Sequence, residues 1–166
     1  MSYVRGLNDY FAAGLAVRGA RHLSSRAVNT RPDVTHRTPR ILVVEDDPAT
    51  RNFYSIALAG DGFHIEQAHN GHQAFAKALE SSPDLIVTDI AVPGLDGIEL
   101  CRRLRADVRT RTIPVLAITG YGDRQYPDRA RLAGADQVLI KPCDVQVLIR
   151  EARRLLAHNG HPHAGL

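Results

Sequence analysis

Asp89 closes the run Asp84-Leu85-Ile86-Val87-Thr88-Asp89, and Ile90-Ala91-Val92-Pro93-Gly94-Leu95-Asp96-Gly97 follows it. A carboxylate therefore stands where an apolar strand gives way to a turn. Glu45-Asp46-Asp47 ends a second apolar run, Ile41-Leu42-Val43-Val44. Thr119 follows a third run, Ile113-Pro114-Val115-Leu116-Ala117-Ile118, and Lys141 stands between Ile140 and Pro142 after a fourth. In an open parallel sheet the carboxyl ends of the strands share one edge, and ligands bind there. Acids gathered on that edge suit a hard divalent cation such as Mg²⁺, which prefers oxygen ligands. The Thr119 hydroxyl and the Lys141 ammonium suit the oxygens of a phosphoryl group. Phosphoryl transfer asks mainly for positioning and charge neutralisation, and a carboxylate such as Asp89 can serve as its nucleophile, giving an acyl phosphate. Carboxylates this close repel one another, so the site is expected to settle poorly without a cation.

The elements that must hold these residues are legible in the pattern. Strands are expected at 41–46, 63–68, 84–89, 113–118 and 136–140, with helices near 48–60, 71–81, 96–107, 124–133 and 144–157. The first, third and fourth strands are nearly continuous apolar runs, as expected where both faces of a parallel sheet are covered. Asp47 before Pro48 reads as an N-cap with proline in the first helical turn. Asp96 and Glu99 have capping-box spacing, and Gly134 suits a left-handed helix end. Pro127 predicts a short or late-starting fourth helix. In the last helix Val145, Val147, Leu148, Ile149, Ala152, Leu155 and Leu156 form an apolar face, with Arg150, Arg153 and Arg154 outside it. Five such units in series predict an α/β domain with a parallel sheet and right-handed crossovers.

The net charge of +3 over 166 residues divides unevenly. Residues 1–40 carry seven arginines against Asp9 and Asp33, a balance of +5, and the remainder is at −2. The mildly acidic remainder argues against direct DNA binding by the domain itself. No apolar stretch reaches the roughly eighteen residues of a spanning helix, and a cytoplasmic protein is expected. Cys101 and Cys143 have neither metal-ligand nor disulfide-framework spacing. Residues 1–39 read as a basic extension, 40–157 as the folded domain and 158–166 as a short disordered tail.

Val43-Val44-Glu45-Asp46-Asp47-Pro48, Thr88-Asp89 through Gly97, Ala117-Ile118-Thr119-Gly120 and Leu139-Ile140-Lys141-Pro142 together resemble the receiver domain of bacterial two-component response regulators. The resemblance runs from about residue 40 to 157. It implies a flavodoxin-like (βα)5 fold with strand order 2-1-3-4-5, and a signalling module rather than an enzyme. It further implies that Asp89 accepts phosphate and that Glu45, Asp46, Asp89 and the Ala91 carbonyl bind Mg²⁺. Thr119 and Lys141 would contact the phosphoryl oxygens. The donor would be a phosphohistidine on a sensor histidine kinase or histidine phosphotransfer protein, with an unidentified downstream protein target and a homodimer on phosphorylation left open. Ala91 and Tyr121, each two residues beyond a site residue, would tune phosphoryl lifetime, Tyr121 by obstructing water.

One departure stands out. Receivers often carry Tyr or Phe three positions before the lysine, and Val138 is there instead. Altered coupling to the face made by the fourth helix, fifth strand and fifth helix is the expectation. The short tail predicts a stand-alone receiver that signals through protein contacts. Two rivals are a receiver-like module that works without phosphorylation and an Asp-nucleophile, Mg²⁺-dependent phosphatase. The second usually has another acid two residues after its nucleophile, where this chain has Ala91.

Overall fold

The computed structural model describes residues 37–120 and 125–159. The expectations for Tyr121, for the tail past Asn159 and for all but the last three residues of the extension lie outside the described residues. The chain alternates β1 (Arg40–Val44), α1 (Pro48–Gly60), β2 (His64–Ala68), α2 (Gly71–Ser81), β3 (Leu85–Asp89), α3 (Gly97–Ala106), β4 (Val115–Thr119), α4 (Tyr126–Leu132), β5 (Gln137–Ile140) and α5 (Val145–Asn159). All pairings are parallel, in the order β2-β1-β3-β4-β5.

That order follows from the residues. β3 and β4 are buried throughout and β1 nearly so, whereas β2 and β5 are only partly covered. Continuous apolar runs belong inside the sheet, and the more polar strands form its borders. Because successive side chains alternate faces, each interior strand feeds two cores. Leu42, Val44, Ile86, Val115 and Ala117 pack on one side with residues of α2, α3 and α4. Ile41, Val43, Leu85, Val87, Leu116 and Ile118 pack on the other with Leu58, Leu148 and Leu155 of α1 and α5. Each such fully buried Val, Leu or Ile side chain contributes about 1.5–3 kcal/mol through removal from water.

The element boundaries follow the local chemistry, with three adjustments. The Asp47 side chain accepts from Thr50 N–H at 2.7 Å and caps α1. Asp96 accepts from Glu99 N–H at 2.8 Å, but the reciprocal half of the box is replaced: the Glu99 carboxylate pairs with Arg102 and Arg103. α4 begins at Tyr126, two residues later than the apolar pattern alone suggests, with Pro127 in its first turn. Gly134 follows α4 at φ +106°, a conformation that carries no Cβ penalty for glycine. β4 starts later and ends later than expected. Pro114, lacking an N–H, lies before it, while the Asp136 carboxylate takes the N–H of Val115 at 2.7 Å. Thr119 is thus the last residue of the strand rather than the first beyond it.

Candidate functional site

Strand register assembles the site. Val44 pairs with Thr88, so Glu45 and Asp89 leave β1 and β3 side by side. Asp89 pairs with Ile118 and Thr119 with Ile140, which sets Thr119 and then Lys141 along the same edge. Lys141 N–H donates to Thr119 O at 2.7 Å and fixes where β5 ends.

The Lys141 ammonium donates to Asp89 Oδ2 at 2.5 Å and to Glu45 Oε2 at 2.9 Å. The other oxygen of each carboxylate has a backbone donor: Ala91 N–H reaches Asp89 Oδ1 at 3.0 Å, and Asp47 N–H reaches Glu45 Oε1 at 3.2 Å. Both acids are buried, and so is Thr119. Burial, and then the charge of Asp89, raise the Glu45 carboxyl above its ordinary range despite the pull of Lys141. Burial works against the charge on Lys141, but its bonds to Asp89 and Glu45 prevail and hold the ammonium above its usual value. Two buried carboxylates thus share one cation.

The expected residues are placed as follows. Glu45, Asp89 and Lys141 come together directly. Asp46 is exposed at the rim, where its carbonyl and that of Glu45 accept from Arg51 Nη1 at 3.2 and 2.7 Å. Ala91 is exposed beside Asp89, and its N–H donates to the Asp89 carboxylate. Val138 lies buried in the same apolar cluster as Ala130 and Ala133. Tyr121 lies outside the described residues. Gly97 has a part beyond helix entry: a Cβ there would stand 2.6 Å from Asp89 O and 2.8 Å from Ile90 Cα. Only glycine lets α3 begin against the Asp89-Ile90 backbone. The sequence shows a glycine at the helix start but not what lies against it.

The donor set fits a hard cation. Among the described residues no three acidic, histidine or cysteine side chains converge into a metal cage. Mg²⁺ needs none, since it keeps several waters and takes as few as one or two carboxylates. The oxygens of Glu45, Asp46 and Asp89 are of that chemistry, and the buried pair Glu45 and Asp89 has a single ammonium between them.

The model of the response regulator receiver domain matches residues 41–153. The chain belongs to this family. Its receiver resembles the DNA-binding dual master transcriptional regulator RpaA of Synechocystis sp., with 42% identity over 118 residues, 71% of this chain and 49% of that protein. Among solved structures it resembles the signal receiver domain of a signal transduction histidine kinase from Syntrophus aciditrophicus. The TM-score is 0.71 at 33% identity, over 78% of this chain and 98% of that one. It also resembles the receiver domain of the sensor histidine kinase PA1611 from Pseudomonas aeruginosa PAO1, at TM-score 0.68 and 28% identity, over 73% of this chain and 99% of that one. That structure holds a magnesium ion in its active site cleft. The chain spans about half the length of the curated relatives it matches. The expectation of a stand-alone receiver gains no support from relatives of which the matched segment is only about half. Among the described residues no helix is long and apolar enough to cross a membrane.

Proposed function

We propose that this receiver takes a phosphoryl group onto Asp89 from the phosphohistidine of a sensor histidine kinase or histidine phosphotransfer protein, in a Mg²⁺-dependent reaction. It then signals through contacts with another protein. The observation that carries the reading is the Lys141 ammonium bridging Asp89 and Glu45 at the carboxyl edge of the sheet.

The chain's own groups divide the work. The Ala91 N–H orients the Asp89 carboxylate, whose oxygen forms the new O–P bond. The donor's P–N bond breaks, and its electron pair returns to the leaving imidazole. Lys141 and the Thr119 hydroxyl neutralise and hold the phosphoryl oxygens, where charge is spread in a loose transition state. Glu45, Asp46, Asp89 and the Ala91 carbonyl would hold Mg²⁺, which supplies further neutralisation of that charge. Val138 implies that phosphorylation reaches the α4-β5-α5 surface without an aromatic rotamer, and Ala91 and Tyr121 would set the phosphoryl lifetime.

Acetyl phosphate with Mg²⁺, followed by intact mass, tests the reading. One added phosphoryl group is expected in the wild type and none in Asp89→Asn. A wild type that gains nothing in Mg²⁺, or a mutant that gains as much, sinks it.

A further inference from the structure

The turn Lys141-Pro142-Cys143 carries the ammonium on which this chemistry depends, and few backbone bonds fix it. Lys141 N–H bonds to Thr119 O, and the next anchor is Asp144, whose carbonyl accepts from Val147 and Leu148. Pro142 between them has no N–H to give. Tyr54 of α1 meets the turn from the side. It is only 6% exposed, and its ring packs in the cluster that holds Leu58, Ile118 and Leu148. Its hydroxyl lies 3.9 Å from Cys143 Sγ, across 89 residues of sequence. Tyr54, Lys141, Pro142 and Cys143 line a single cavity of about 610 Å³.

We infer that Tyr54 is a positioning residue, whose hydroxyl against the Cys143 thiol braces the turn that presents Lys141 to Asp89 and Glu45. Lys141 must satisfy both carboxylates at once through a flexible four-carbon stem, and ordering such a stem is entropically costly. A fixed turn lowers that cost by placing the Cα within reach of both partners. Burial, and then Cys143, push the Tyr54 hydroxyl up to about 12. It therefore keeps its proton, and its donor capacity toward sulfur, near neutral pH. Tyr54 and Lys141 line the same cavity, which puts the ring beside the site. A ring that merely filled space would have no use for the oxygen. The kinetic consequence rests on Asp89 being the acceptor; the geometric one does not.

The chain has two lysines, Lys77 and Lys141, and Lys77 Nζ is engaged elsewhere, at 2.6 Å from Gln67 O. Lysine labelled with ¹³C and ¹⁵N therefore gives one reporting ammonium and one internal reference. In Tyr54→Phe and in Cys143→Ala the Lys141 side-chain signal is expected to move toward that of a solvated ammonium while Lys77 stays fixed. Phosphorylation by acetyl phosphate and Mg²⁺ slows by about two- to fivefold in each. The double variant is no slower than the slower single one, because both remove one weak contact. A Lys141 signal unchanged in both single variants overturns the brace, and so does a fully additive double variant. A wild type that takes no phosphoryl group refutes the acceptor reading instead, while the lysine signals still decide the brace.

Discussion

The two edges of the sheet each carry a cluster of acids and bases, and the two are balanced differently. Toward the amino edge Asp84 and, within β2, Glu66 each face a guanidinium. Asp84 takes Arg37 at 2.6 Å and the N–H of Arg40 at 2.7 Å, and Glu66 faces Arg40 at 3.2 Å. These acids are 30% and 23% exposed, so water screens what the arginines leave. At the carboxyl edge Glu45 and Asp89, only 3% and 8% exposed, divide one ammonium. The amino edge is electrostatically closed and serves stability. The carboxyl edge is short of one positive charge and stays receptive to a cation or to a group that neutralises Asp89.

The largest effect expected from that asymmetry is the loss of Lys141. Lys141→Met leaves two buried carboxylates without a partner and should lower unfolding stability by about 2–4 kcal/mol in metal-free buffer. Arg40→Met at the amino edge should cost about 1 kcal/mol, since its partners remain wet. Equal losses in urea titrations would erase the distinction between the edges. Gly97→Ala comes next, at about 1–3 kcal/mol, because its Cβ would press on the Asp89 carbonyl. It should also slow phosphorylation by displacing the acceptor turn, and an unchanged rate would show that the turn absorbs the shift.

The smallest prediction is the sharpest in sign. Asp89→Asn removes one of two acids competing for Lys141 and keeps an oxygen for Ala91 N–H, so it should stabilise the fold by about 0.5–1 kcal/mol. The same exchange at Asp84 removes a properly matched charge and should destabilise by a similar amount. Thermal midpoints moving in the same direction for both variants would contradict the comparison.

Much of this was readable from residue order alone. The apolar runs ending at Val44, Val87 and Ile118 mark interior strands, and each ends beside a polar residue that proves to share one edge. Asp47, Asp96 and Gly134 mark helix ends through local hydrogen bonding and backbone conformation, which act over a few residues and so leave local traces. The contacts that make the site work leave none. Lys141 meets Asp89 and Glu45 across 52 and 96 residues, and Gly97 reports its tight approach only once α3 lies on the acceptor turn. Val138 shows another limit: resemblance marks its position as a coupling element, and burial in the cluster that also holds Ala130 and Ala133 is what the fold adds.

The register that joins Val44 to Thr88, Asp89 to Ile118 and Thr119 to Ile140 also makes the site a gauge of correct folding. A slip of one residue in any of these ladders keeps the strands but turns the shifted side chains to the opposite face. It would separate Lys141 from its acids while leaving much of the secondary structure intact. On the proposed function, the fraction of molecules able to take up a phosphoryl group would count the properly registered sheets, a quantity that circular dichroism would miss.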